Sequence, residues 1–288
     1  MNLPAVLVFT IGVSSTLLAQ QEYEIHLDRP VKPGDHCRLS VLGKGFEEMV
    51  IEADGQVQMH TKDEFSVEYF AAREVVAVER AGRPIRVSDV IEKLSLIRGA
   101  NRMELAKPGS VLVASIEGKK KRFEIDGQPV GAESAKALEI VIDISRGGAT
   151  DDDIFGTERR KKPGDSWDMN RAMAAYDLVV RSNVEARNLN GKVTLESVTQ
   201  EKNGGILNIT CHVTGDATLL ELPPLVTSCH GPFKARFSGK YPVDVSLRCP
   251  ETKSEMSVLF EGDGQARNGT PAHVTGVVQR SVGYRLLE

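Results

Sequence analysis

The sequence predicts an α+β fold that is predominantly antiparallel β, built as two related curved-sheet halves with one or two short helices. Three observations predict it. Apolar residues recur with a period of two over most of the chain, glycine-containing turns separate these runs, and a Lys-Pro-Gly-Asp tetrapeptide occurs at both 32–35 and 162–165. Period-two alternation sends successive side chains to opposite faces of an extended chain, so it builds sheets with one buried face rather than a helical bundle.

The first element is an apolar stretch from Leu3 to Ala19 that contains no Asp, Glu, Lys or Arg. With a small residue at its polar end, it reads as a secretory signal cleaved near Ala19/Gln20. A retained membrane anchor is the alternative, because about 18 apolar residues can cross a bilayer. Gly12, Ser14, Ser15 and Thr16 make the stretch weakly hydrophobic and favour cleavage. The expected organisation is a signal at 1–19, an N-terminal half at 20–150 and a C-terminal half at 151–288.

Strands follow. Met49–Ala53 and Gln56–His60 meet across Asp54-Gly55, and long strands are expected over Phe65–Val78 and Ile85–Arg98. Val111–Ile116 pairs with Arg122–Asp126 around Gly118, and Asp126-Gly127 closes the second strand. Lys192–Val198 joins Ile206–Val213 through Asn203-Gly204-Gly205. Asp-Gly and Gly-containing dipeptides between alternating runs are hairpin signals, because the favoured two-residue turns need positive φ. In Lys-Pro-Gly-Asp, proline presets one central φ and glycine accepts the positive φ of the next, so each copy, with a third version at Lys107-Pro108-Gly109-Ser110, is a turn feeding a strand. Helical spacing appears at Ala132–Ile142 and Asn170–Val180. Gly147–Thr150, Asp151-Asp152-Asp153 and Arg159–Lys162 make a polar connection, expected to be exposed and too short to separate the halves widely.

The run Lys162-Pro163-Gly164-Asp165-Ser166-Trp167, preceded by Phe155-Gly156-Thr157, resembles the turn that opens the second half in a broad family of uncharacterised exported bacterial β-rich proteins. Phe237-Ser238-Gly239-Lys240-Tyr241-Pro242-Val243-Asp244 is similar to a hairpin found there. The resemblance implies an exported fold of curved sheets wrapped by one or two helices, and implies no activity. Family members often carry a lipid-attachment cysteine after the signal, which this chain lacks.

Composition narrows the function classes. Charged residues make up 26% of the chain and the formal net charge is −4, which argues against a nucleic-acid partner held by global charge. The four cysteines, Cys37, Cys211, Cys229 and Cys249, permit two disulfides in an oxidising compartment. Cys229 with Cys249 is the preferred pair because both lie in loop-like sequence, and buried apolar thiols are the alternative. No CxxC, HExxH or GxSxG occurs, so no metal, cofactor or catalytic residue is assigned.

The six histidines, His26, His36, His60, His212, His230 and His273, read as surface residues of strands and turns. Asp151–Asp153 lacks calcium-loop spacing and reads as a solvated linker or a helix-start acid cluster. Glu261-Gly262-Asp263-Gly264 reads as a hairpin tip rather than a phosphate cradle. The basic runs Lys119–Arg122 and Arg159–Lys162 read as solvated charge. Trp167, the single tryptophan, either buries a large apolar face at the junction of the halves or forms one wall of a ligand groove.

The resulting expectation is a non-enzymatic exported protein, periplasmic or secreted, with a binding or structural role and an apolar ligand or cell-envelope component as partner. A carrier of an apolar or amphipathic small molecule held between a curved sheet and a helix is the second reading. A hydrolase whose site has no sequence motif is the third.

Overall fold

The structure, a computed structural model, describes residues 21–79, 82–118, 120–182, 184–202, 204–220, 228–265 and 269–287. The apolar segment expected to be a signal, and the turn residues Lys119 and Asn203, lie outside the described residues. A short N-terminal strand β1 (Tyr23–Ile25) precedes the long strands β2 (His36–Ala53), β3 (Gln56–Val78) and β4 (Pro84–Arg98). Four shorter strands follow, β5 (Asn101–Ala106), β6 (Val111–Glu117), β7 (Lys120–Ile125) and β8 (Gln128–Pro129), and then helices α1 (Ala132–Val141) and α2 (Asp151–Phe155). After β9 (Thr157–Lys161), β10 (Ser166–Asp168) and α3 (Arg171–Ser182) come β11 (Val184–Glu201), β12 (Gly204–Leu219), β13 (His230–Pro242), β14 (Glu251–Gln265) and β15 (Pro271–Leu287).

Thirteen strands form one open antiparallel sheet in the order β10-β11-β12-β13-β14-β15-β2-β3-β4-β6-β7-β8, with β5 also on β4. The sheet runs through the expected boundary between halves. β15 pairs with β2 along its whole length, from Ala272 opposite Ala53 to Leu287 opposite Arg38. β1 pairs with β9 in a separate two-stranded sheet. At about 3.3 Å per residue, strands of 15–23 residues are far longer than usual, and their length leaves room for two cores on one face.

The turns form as their chemistry requires. Asp54-Gly55 and Asp126-Gly127 have positive φ at both central residues, the type I′ geometry that matches strand twist. The three Pro-Gly turns share one docking pattern. Gly34 N–H donates to Val75 O and Val75 N–H to Asp35 O, Gly164 N–H donates to Leu195 O and Leu195 N–H to Asp165 O, and Gly109 and Ser110 clasp Ile91 likewise. Each turn thereby fastens to the edge of a neighbouring strand. Asp35 and Asp165 also accept the N–H of Lys32 and Lys162 through their carboxylates.

The sheet's inner face carries two apolar clusters. One, around Leu39, Val41, Val67, Tyr69 and Phe123, is covered by α1 through Ala137, Leu138 and Val141. The other, around Ile51, Leu195, Cys211, Phe233, Tyr241 and Val258, is covered by β1, Ile154, Trp167 and Ala174. β2 contributes Leu39 and Val41 to the first and Ile51 and Ala53 to the second. Helices α1 and α3 match the helices expected from spacing.

Several expectations need correction. The expectation of a wholly exposed connection is one. Of the two readings for Asp151–Asp153, the helix-start acid cluster is the one observed: it opens α2, capped by a reciprocal Thr150/Asp153 capping box. Its Ile154 is buried, Asp152 accepts the Leu27 N–H at 2.5 Å, and Asp151 accepts the Tyr241 hydroxyl at 2.8 Å. Glu261–Gly264 is strand, not a hairpin tip. Glycine is needed at 262 because a Cβ there would lie 1.8 Å from Ser228 O. Cys229 and Cys249 are not bonded, and all four thiols are free. Cys229 precedes the first residue of β13, whereas Cys249 Sγ lies 2.9 Å from the carbonyl of Lys240 near its last. Ten strand residues place them roughly 30 Å apart, while a disulfide needs Cα atoms within about 7 Å.

Candidate functional site

Between the two apolar clusters the inner face changes character. By register, Glu47 on β2 faces Asp63 on β3 and Val278 on β15, so charged side chains occupy positions where alternation would place apolar ones. Lys136 of α1 reaches both carboxylates, Glu47 at 3.3 Å and Asp63 at 3.1 Å. Arg280 pairs with Glu47, and Arg98 with Asp63 at 3.3 Å and with Glu133. Burial works against ionisation of Glu47, but Arg280 and Lys136 more than offset it and hold its carboxyl below the ordinary carboxylate value. The cations of Lys136, Arg98 and Arg280 also lie 5.2, 5.7 and 5.9 Å from the Phe65 ring centre. This polar seam keeps the two cores from merging.

Above the seam and beside it opens a cleft of about 1370 Å³. Its floor is the inner face of β14 and β15, where Val258 faces Val278, Met256 faces Arg280 and Ser254 faces Val282. One wall is α1 with the segment after it and the β6–β7 tip, contributing Ile116, Ile140 and Ile144. The other is α3 with the paired ends of β11 and β12, contributing Tyr176, Val179, Val184, Leu219 and Leu220. Tyr176, Val179 and Leu220 are large apolar side chains left 52, 40 and 47% exposed. They make an open cleft with an apolar lining, not a sealed core.

A second depression, of about 820 Å³, lies on the opposite, polar face. One row of register partners crosses it from His212 through Arg236, Glu255, Ser281 and Lys44 to Ser66. Glu255 is engaged by Lys253 at 2.5 Å. Charged side chains share its lining with Phe46, Phe65, Ile97, Val213 and Met256, so this depression is amphipathic, without a helix to wall it.

The titratable side chains of the described residues are mostly scattered or paired with one another. The six histidines are all exposed and dispersed. His60 meets Glu48 at 2.8 Å, and His273 meets Asp263 at 3.4 Å. Among the described residues no cluster of three His, Cys, Asp or Glu side chains could hold a metal. Burial pushes the Cys211 and Cys249 thiols up to about 12, so both are protonated at neutral pH and poor nucleophiles. Trp167 is buried against the C-terminal core, donates its indole N–H to Phe155 O at 2.9 Å, and lines neither depression. Of the two readings for it, the buried anchor fits.

Some members of the basic runs have partners. Arg160 pairs with Glu24 at 2.6 Å across β9 and β1, and Arg122 with Glu117 at 3.0 Å. Lys121 donates to the carbonyls of Ile142, at 2.6 Å, and Glu139, at 3.3 Å, which closes the C-terminal end of α1.

The cleft was not assigned to residues by sequence reasoning, because β14, β15, α1 and α3 are remote along the chain. One signal was present. Glu47-Glu48 and Asp63-Glu64 break the alternation within otherwise regular strands, and only one residue of each pair can face solvent.

Comparison with known proteins adds little. No family model and no curated protein matches the chain. Among solved structures, one of lipovitellin, titled for its lipid-protein interactions, aligns with 89% of this chain at 9% identity and a TM-score of 0.37. The chain spans about a quarter of that protein's length. Pseudomonas aeruginosa OpdQ aligns over 90% of this chain and 99% of its own at 7% identity and a TM-score of 0.20. An outer membrane channel from Pseudomonas putida F1 aligns over 91% of this chain and all of its own, at 8% identity and a TM-score of 0.16. Scores this low carry no inference. No helix among the described residues is long and apolar enough to cross a membrane.

Proposed function

We propose that this chain is a non-enzymatic, exported binding protein that carries an apolar or amphipathic small molecule in the cleft between its sheet and its helices. One observation carries the reading: a 1370 Å³ cleft whose floor is Met256, Val258, Val278 and Val282 and whose wall leaves Tyr176, Val179 and Leu220 exposed. Sites for small molecules are concave, mostly apolar and typically about 300–1,000 Å³. A larger apolar space fits a ligand with hydrocarbon chains. Covering such a lining with a ligand recovers roughly 25 cal/mol per Å² of apolar surface removed from water.

Export is supported by the Leu3–Ala19 stretch, and a binding rather than catalytic role by protonated thiols and dispersed histidines. The test is direct. Protein stripped of bound lipid is incubated with a bacterial envelope lipid extract, repurified and weighed by native mass spectrometry. A stoichiometric adduct is expected, and recovery of bare protein contradicts the reading. The same preparation is expected to be inert toward ester, peptide and glycoside substrates. Turnover that disappears on substitution of one cleft residue would establish an enzyme instead.

A further inference from the structure

The cleft has a charge that the chain as a whole does not. Five basic residues line it, Lys120, Lys121, Lys136, Arg146 and Arg280, against two acidic ones, Glu139 and Asp143. The protein's formal charge is −4. Three of the five cations already have partners: Arg280 and Lys136 are held by Glu47 and Asp63 in the seam, and Lys121 bonds the end of α1. Lys120, at the β6–β7 tip, and Arg146, in the segment after α1, are exposed and in no ion pair among the described residues.

We infer that the ligand of this cleft is an anionic amphiphile, with its phosphate or carboxylate head group bound by Lys120 and Arg146 at the mouth and its chain laid over Met256, Val258 and Val278. This inference rests on the proposed carrier function and adds the ligand's charge and direction. A guanidinium presents a planar fork of donors matched to phosphate or carboxylate oxygens, and a lysine lining the same cleft adds a compact second charge. Arg280, on the floor but already paired with Glu47 in the seam, is not counted as a head-group ligand. A neutral amphiphile would leave the two mouth cations without an anion and gain only the apolar term.

The experiment compares matched pairs of probes that share chains and differ in charge: oleate against oleyl alcohol, and phosphatidylglycerol against phosphatidylcholine with the same acyl chains. Lipid-stripped full-length protein is titrated with each, with adducts counted by native mass spectrometry. The wild type is expected to hold at least one anionic probe about tenfold more tightly than its uncharged or zwitterionic partner, as one or two charge-assisted hydrogen bonds allow. The oleate arm reports a carboxylate ligand and the phosphatidylglycerol arm a phosphate ligand. K120Q/R146Q is expected to lose that preference while keeping its affinity for the neutral partner, since both side chains are exposed and their loss does not disturb folding. Equal binding of anionic and neutral probes by the wild type, or a preference that survives in K120Q/R146Q, would overturn the head-group assignment and leave the carrier reading standing. Binding of no probe of either charge would overturn both.

Discussion

Arg73 on β3 and Asp89 on β4 face each other across the ladder and form a two-pronged ion pair inside the N-terminal core, with Nε 2.9 Å from Oδ1 and Nη2 2.7 Å from Oδ2. The Tyr69 hydroxyl donates to the same carboxylate at 2.5 Å, and Asp89 has no solvent exposure. Three polar groups thus satisfy one another within an apolar cluster. Breaking the pair from one side leaves a buried guanidinium without an acceptor. Asp89→Ala is therefore expected to cost about 3–5 kcal/mol in urea denaturation, whereas Arg73→Met with Asp89→Leu and Tyr69→Phe, which removes all three polar groups together, is expected to lie near the wild type. An Asp89→Ala midpoint equal to that of the wild type would show that the pair does not form.

Substitutions on the cleft wall are expected to separate binding from folding. Val179 and Leu220 are exposed, so Val179→Asp and Leu220→Asp should change stability by no more than about 0.5 kcal/mol. A ligand chain laid against either would lose the burial of an apolar side chain, about 1.5–3 kcal/mol, or roughly tenfold or more in affinity. Melting curves and ligand counts from native mass spectrometry measure the two effects side by side. Unaltered ligand uptake in both variants would remove this wall from the site.

The Pro-Gly turns offer a test of local strain. Gly34 and Gly164 have φ of +86° and +90°, and no atom lies within 4 Å of where a Cβ would stand. Alanine at either position therefore meets a backbone penalty rather than a clash. Gly34→Ala and Gly164→Ala are each expected to cost about 1–2 kcal/mol by thermal or urea denaturation. A much larger loss at one site would mean that its turn supports more than its own strand edge.

Acid stability should depend on Glu68. Hydrogen bonds from Arg102 and Lys93, with their charges added, outweigh partial burial and bring its carboxyl down from an ordinary 4.5 to about 2. Because the folded value lies below the unfolded one, this contribution is complete above about pH 4.5 and is lost as pH falls toward 2. Glu68→Gln should flatten the stability profile over that window and leave its shape at higher pH unchanged. An identical acid limb in the variant would contradict the pairing that ties β5 to β3.

The thiols give a chemical count. Unfolded, unreduced protein is expected to titrate four free thiols with a colorimetric reagent, and native protein to react slowly, since Cys211 and Cys229 are buried. A count of two would mean that one disulfide forms in the mature protein.

Hairpins were legible in the sequence because each is specified within a dozen residues. Asp54-Gly55 allows little but a type I′ turn between alternating runs, and Ala135, Leu138 and Ile142 lie on one helical face whatever surrounds them. The disulfide expectation failed for the complementary reason. Proximity of Cys229 and Cys249 along the chain says nothing of their distance once a 13-residue strand separates them. The acid cluster at 151–153 could be read locally as a helix start or a solvated linker, but not as the anchor it is, because its partners, Leu27 and Tyr241, lie more than 85 positions away.

What the sequence determined by itself is the antiparallel β class and the local hairpins β2–β3, β6–β7 and β11–β12, since alternation and turn chemistry are local and leave few alternatives. β14 and β15 carry no turn signal that marks them, and neither is legible there as a strand. What only the tertiary structure decided is that β15 pairs with β2, that two cores therefore share one face, and that a cleft opens between them. Strand pairing across 230 residues depends on the free energy of the assembled sheet, and no short run of residues encodes it.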